Sequence, residues 1–271
     1  NYHGVATLVR LVTKDRCQVP ACLGNEVPAK LQDDPGGRRL LHQPVEFFAH
    51  RCQVQFLILR TVGNTKPTAK IQQRRCNAKL VGRSQRIESV AVSPDGKLIA
   101  GTGGTPALFG EVQFWDAATR KLVRSITVSY DTLFGASFSG DGKQFAFGGA
   151  DNGVRVLTVA DGKQVMRMDA HADWSFAATF SLKGTHVISV SRDRAMKLSI
   201  VESGQFVDNV TSITPGALKG GLMAVERRPG KEQVLTGGSD GTPMLYKVFR
   251  TRKRIIGDDF NHIRSFKPMP G

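Results

Sequence analysis

The sequence predicts an all-β fold made of repeated four-stranded units, and three observations predict it. A turn phrase recurs: Ser93-Pro94-Asp95-Gly96, Ser139-Gly140-Asp141-Gly142, Ser181-Leu182-Lys183-Gly184 and a worn Arg227-Arg228-Pro229-Gly230. Its closing glycines follow one another at 46, 42 and 46 residues. Between them, apolar residues alternate or run in short blocks, and turn residues interrupt every few positions, which excludes a helical reading. A unit of this kind cannot bury its own faces and must stack on its neighbours.

Each unit carries the same elements in order. An inner strand comes first, as in Ile87-Glu88-Ser89-Val90-Ala91-Val92 or Phe176-Ala177-Ala178-Thr179-Phe180. The Ser-Pro-Asp-Gly turn follows; Pro pre-sets φ and Gly supplies the left-handed angle. A second strand comes next, such as Gln144-Phe145-Ala146-Phe147 or His186-Val187-Ile188-Ser189-Val190. A turn with one acidic residue follows, carrying Asp151, Asp193 or Asp240. The third strand includes Val112-Gln113-Phe114-Trp115 and its counterparts, and a polar turn leads to a fourth strand. Four short strands per unit of about 40–45 residues make the blade of a β-propeller.

From residue 79 to 271 the chain resembles a WD-repeat β-propeller, with about four legible blades and an incomplete ring. One copy keeps the Trp115-Asp116 pair; Leu157-Thr158, Ser199-Ile200 and Tyr246-Lys247 stand there in the others. Leu80-Val81-Gly82-Arg83-Ser84, Tyr130-Asp131-Thr132-Leu133-Phe134 and Thr214-Pro215-Gly216-Ala217-Leu218 are similar to WD-repeat proteins of planctomycete and verrucomicrobial bacteria. In that family the propeller often accompanies a c-type cytochrome domain in an exported protein. The resemblance therefore implies a periplasmic or exported setting, although no signal peptide is visible at the start of the chain. No Cys-x-x-Cys-His haem attachment occurs in the sequence, so no cofactor is expected.

A closed ring of seven blades needs about 290 residues at the usual repeat length. The expectation is a propeller truncated at its C-terminus, with Asn261-His262-Ile263-Arg264-Ser265-Phe266 beginning a further blade. Open edges would then favour association.

Charge is uneven. The chain has a formal net charge of +15. Residues 1–86 hold 15 Lys/Arg against 5 Asp/Glu, while the remainder holds 23 against 18. The repeat region is only mildly basic, so no nucleic-acid partner is expected of it; binding through the basic N-terminal segment is the alternative. The densest basic run, Arg250-Thr251-Arg252-Lys253-Arg254, falls in one connection and has no interleaved aromatics for base stacking. Without an apolar run of about 18 residues, no membrane span is expected.

Residues 1–78 share none of the repeat grammar and hold all four cysteines, Cys17, Cys22, Cys52 and Cys76. The spacings Cys17 to Cys22 and His42 to His50 fit zinc ligation poorly. Three readings stay open: a small cysteine-bearing domain, a poorly packed extension, or text read out of frame and joined near Ala78-Lys79-Leu80. Val54-Gln55-Phe56-Leu57 alternates as one strand would.

The site expectations are structural first. In the family that the chain resembles, the turn Asp bonds a His from the preceding loop. His171, Ser189 and Asp193 match three members of that set, Ser199 replaces the fourth, and Trp115 packs between blades. Tyr130, Asp131, Trp174, Thr214, Pro215 and Leu218 lie in loops leading into inner strands, the rim where protein partners dock. Gly101-Thr102-Gly103-Gly104-Thr105 lacks the Lys-Ser/Thr ending of a nucleotide loop and reads as part of a longer loop from Thr105 to Gly110. No Gly-x-Ser-x-Gly elbow is present. The expected function is a non-catalytic scaffold; the rivals are a sensor domain of a cytochrome-linked enzyme and nucleic-acid binding.

Overall fold

A computed structural model describes residues 32–33, 39–40, 53–55, 79–81, 84, 86–214, 217–255 and 257–268. The cysteines, both histidines of the weak zinc spacing, the proposed frame join at Ala78 and Pro215 lie outside the described residues. Contacts divide the chain into two units, residues 12–50 and residues 1–11 with 51–271. In the first unit, β1 (Gln32–Asp33) pairs antiparallel with β2 (Arg39–Leu40). In the second, β3 (Gln53–Gln55) pairs with β4 (Lys79–Val81), joining chain on either side of residue 78.

From residue 86 onward the described residues of the second unit form four antiparallel meanders. Blade 1 holds β5 (Arg86–Val92), β6 (Leu98–Thr105), β7 (Phe109–Asp116) and β8 (Leu122–Ser129). Blade 2 holds β9 (Leu133–Phe138), β10 (Gln144–Gly149), β11 (Val154–Thr158) and β12 (Gln164–Met168). Blade 3 holds β13 (Ser175–Phe180), β14 (His186–Ser191), β15 (Met196–Ile200) and β16 (Phe206–Asn209). Blade 4 holds β17 (Leu222–Arg227), β18 (Gln233–Gly238), β19 (Met244–Lys247) and β20 (His262–Ser265). No helix occurs among the described residues, so none there is long and apolar enough to cross a membrane.

The recurrent turn works through its side chains. Ser93 Oγ donates to Asp95 Oδ1 at 2.6 Å and accepts from the Leu98 amide at 2.9 Å. Ser139 does the same with Asp141 and Gln144, at 2.6 and 2.9 Å. The serine bond, with the amide of Lys97 or Lys143, holds each aspartate below the usual carboxylate range. The glycine that closes the turn is left-handed in every blade: φ is 73° at Gly96, 72° at Gly142, 73° at Gly184 and 69° at Gly230.

Each core cluster lies between consecutive sheets, which is how blades without a core of their own become stable. Val112 and Phe114 of blade 1 meet Leu133, Phe145, Phe147 and Leu157 of blade 2. The rings of Phe114 and Phe145 are 5.3 Å apart, edge to face. Ala146, Val154, Val156, Met166 and Met168 of blade 2 meet Ala178, Phe180 and Val187 of blade 3. Ile188, Val190 and Leu198 of blade 3 meet Leu222, Val234 and Tyr246 of blade 4. The four inner strands line one cavity of about 470 Å³. The blades fan round this axis without closing, and blade 4 leaves Leu235, Ile263 and Phe266 exposed on its outward face.

Two expectations are corrected. The segment 261–266 does not begin a further blade: β20 is the fourth strand of blade 4, with Met244 opposite Ser265 and Tyr246 opposite His262. Sequence distance hid the pairing, because β19 and β20 are separated by residues 248–261 where blades 1–3 have five-residue turns. The glycines at 101–104 are not in a loop but in β6, which pairs with β7 up to Thr105 and Phe109. At Gly101 an added Cβ would lie 3.2 Å from the Trp115 ring, a tight contact against a side chain.

Candidate functional site

The connections into the inner strands and the turns between second and third strands meet at one end of the blades. Hydrogen bonds join them pairwise. The Ala107 amide donates to Asp131 Oδ1 at 3.2 Å, the Ala150 amide to the Thr132 carbonyl at 3.0 Å, and the Arg192 amide to the Trp174 carbonyl at 3.1 Å. In blade 4 the Ser239 amide donates to the Gly221 carbonyl at 2.9 Å. The rim is therefore a hydrogen-bonded platform, not a set of free loops.

Beneath the rim each blade has a different polar clamp. In blade 3, His171 Nδ1 lies 2.9 Å from Asp193 Oδ2, and Nε2 lies 2.8 Å from Ser189 Oγ. Burial pushes the Asp193 carboxyl up. The hydrogen bond and charge of His171, with the Ala195 and Ala172 amides, outweigh burial and bring it to about 2. Ser199, in the fourth position, has a buried hydroxyl with no partner. In blade 2, Asp151 is clamped by Arg155, whose Nη1 donates to Oδ1 at 3.0 Å and whose Nη2 donates to Oδ2. Burial raises the Asp151 carboxyl, but the guanidinium overrides it. In blade 4, Asp240 is exposed and accepts only a local bond from the Thr242 amide at 3.1 Å.

Blade 1 places a carboxylate elsewhere. Glu111 is fully buried and accepts from Ser84 Oγ, from Gln113 Nε2 at 2.5 Å and from Ser125 Oγ at 2.6 Å. Trp115 shares this face of β7, opposite to Phe114, and packs on Gly101 beside Ile87. Neither Glu111 nor Arg155 was singled out by the sequence. The one available signal was a charged residue inside an otherwise apolar third strand.

The rim's outer surface carries aromatic side chains. Tyr130 is 69 % exposed and Trp174 is 40 % exposed. Trp174 lies 5.8 Å from Phe134 and 6.3 Å from Phe176, with the Arg192 guanidinium 4.6 Å above its ring. Arg192 is itself held by Asp173 at 2.7 Å. Leu108, on the turn between β6 and β7, and Ile213, on the connection into β17, are exposed as well. Thr214 Oγ1 accepts from the Gly257 amide at 3.1 Å. Leu218, expected on the rim, is instead buried in the core between blades 3 and 4, because its loop folds inward to cap that cluster.

The cavity on the axis begins with a ring made by Glu88, Phe134, Phe176 and Met223. In blades 1, 3 and 4 the register of the inner strand slips at this level, between Ile87 and Ser89, Ser175 and Ala177, and Leu222 and Ala224. The extra residue of each bulge, Glu88, Phe176 or Met223, is among those that line the cavity. Glu226 also lines it, and burial raises its carboxyl. No group of metal ligands is assembled among the described residues.

Four-stranded antiparallel meanders, stacked face to face about an axial cavity, are the blades of a β-propeller. Comparison with known proteins agrees. The family model described as "WD domain, G-beta repeat" matches residues 74–105. An uncharacterized WD repeat-containing protein of the cyanobacterium Synechocystis sp. is 28 % identical over 125 residues, 46 % of this chain. The match spans about a third of that relative's length, 34 %.

Proposed function

We propose that the chain is a non-catalytic scaffold that offers the rim of its blades to a protein partner. The observation that carries this reading is the exposed Tyr130 and Trp174 surface on a hydrogen-bonded rim. Large aromatic side chains on a rigid support bind with little loss of conformational freedom, and such residues dominate the energetics of interfaces. WD-repeat domains in general bind protein partners and carry no catalysis, and the clamps described above serve to hold turns rather than to move protons to a substrate. The bacterial, exported, cytochrome-linked setting implied by the resemblance belongs to the same proposal.

The test is a quantitative comparison of proteins co-purifying with the wild-type chain and with a Tyr130→Ala, Trp174→Ala double variant. A partner bound directly through the rim is expected to lose at least about tenfold in affinity, the scale of one aromatic anchor. Equal recovery on both chains, with unchanged far-UV circular dichroism, overturns the reading.

A further inference from the structure

The connection between β19 and β20 is the outlier among the blades. The corresponding turns are residues 117–121, 159–163 and 201–205, whereas here the chain runs from 248 to 261. Connections of that length inside a compact domain are usually functional. This one contains the densest basic run of the sequence.

It is strapped down. Phe249 packs against the core between blades 3 and 4 and lies edge-on to His186, with ring centres 5.1 Å apart. Arg250 Nε donates to Asp208 Oδ2 at 3.0 Å, and Arg254 Nη2 donates to Asp208 Oδ1 at 2.7 Å and to the Asn209 carbonyl. Burial pushes the Asp208 carboxyl up, but the two guanidiniums hold it below the usual range. The Gly257 amide is bonded to Thr214, as described. A single carboxylate thus serves two guanidiniums, and Nη1 of both Arg250 and Arg254 is buried without an acceptor.

What the strap leaves facing water is positive. The Arg252 side chain is 56 % exposed, and Lys247 and Lys253 are exposed as well. Arg252, Lys247 and Arg250 stand 4.2, 5.4 and 5.8 Å from the centre of the Phe260 ring. Ile255, 61 % exposed, adds an apolar contact on the same segment. Local acidic residues compensate only partly. Asp258 pairs with Arg252 at 3.0 Å, while Asp259 is pushed up by burial and by Asp258.

We propose that the 248–261 insertion is a docking site for a carboxylate-rich segment of a protein partner. Lys247, Arg250 and Arg252 gather around the Phe260 ring with exposed Lys253 next in sequence, and several separate cations of this kind can each pair with a different carboxylate of a run of Asp and Glu. Because the insertion is already ordered by Asp208, Thr214 and the core, binding forfeits little loop entropy. Phe260 is ringed by cations rather than open for base stacking, which disfavours single-stranded nucleic acid. The proposal is independent of the rim reading, since the two surfaces share no exposed side chain.

The experiment is a fluorescence anisotropy titration of the full chain with a labelled Glu/Asp-rich peptide at low and at physiological ionic strength. Single-stranded DNA and anionic phospholipid vesicles run in parallel. Saturable peptide binding is expected, weakening with salt. It should fall about tenfold or more in an Arg252→Glu, Lys253→Glu variant and less in the Arg252→Gln, Lys253→Gln variant. The Tyr130→Ala, Trp174→Ala variant should bind the peptide like wild type, which separates this site from the rim. Absence of saturable binding, equal affinity in the charge-reversed chain, or tighter binding of DNA or vesicles overturns the proposal. Both substituted side chains are exposed, and unchanged circular dichroism verifies the fold.

Discussion

His171 shows how one side chain can fasten a whole turn. Its ring reaches Asp193 with one nitrogen and Ser189 with the other, tying the loop before β13 to β14 and to the turn that follows. The pH dependence follows from Asp193. Its carboxyl sits at about 2 in the fold, against about 3.9 in an unfolded chain. A depressed carboxylate contributes stability in full above the unfolded value, and that contribution is lost as pH falls through the folded one. Thermal melts should therefore show a drop in stability between about pH 4 and pH 2 that is smaller in Asp193→Asn, which is already weaker at neutral pH. An identical acid limb in both chains would remove Asp193 from the account. This clamp's three members were legible as residue types at family spacing. Arg155 and Glu111 were not, because nothing in Val154-Arg155-Val156 or Gly110-Glu111-Val112 says which alternating face another sheet will cover.

At the scale of the element, the turn phrase is decided locally. Gly96 has φ of 73° and nothing within 4 Å of an added Cβ, so Gly96→Ala isolates the backbone cost from any clash. That variant should lose about 1 kcal/mol in chemical denaturation, the penalty of a left-handed L-residue. A Gly101→Ala change is different in kind, because its Cβ would press on Trp115 at 3.2 Å. Most strands were legible from alternation and turns, but β6 continues through Gly101–Thr105, a stretch read from the sequence as loop. What escaped was any pairing not signalled by a short turn: β20 finds β19 across the 248–261 insertion. Loop closure over that distance adds little entropic cost, so the length of the insertion does not forbid the pair.

At the scale of the molecule, stability lies between blades rather than within them. Each of the three core clusters joins two sheets, and the outward face of blade 4 presents exposed apolar side chains: Leu235 at 42 %, Ile263 at 39 % and Phe266 at 42 % exposure. Exposed apolar sheet faces associate. Sedimentation velocity should show concentration-dependent oligomers that a Leu235→Glu, Ile263→Lys variant abolishes. A wild-type chain that stays monomeric across the accessible concentration range would refute this. Rim and insertion both depend on the same architecture, because a stack of sheets holds loops from different blades at fixed separations.

The sequence by itself determined the repeated blade: the inner strands, the turns that follow them, and which residue in each turn carries the carboxylate. Those features depend on φ preferences and hydrogen bonds within a few residues. Only the tertiary structure decided that Leu218 is covered, that Glu111 and Arg155 are buried with partners, and that Arg250 and Arg254 reach back to Asp208 in the preceding blade. Burial and long-range pairing depend on which sheet stacks against which face, and that choice is made by the assembled stack rather than by any local stretch of chain.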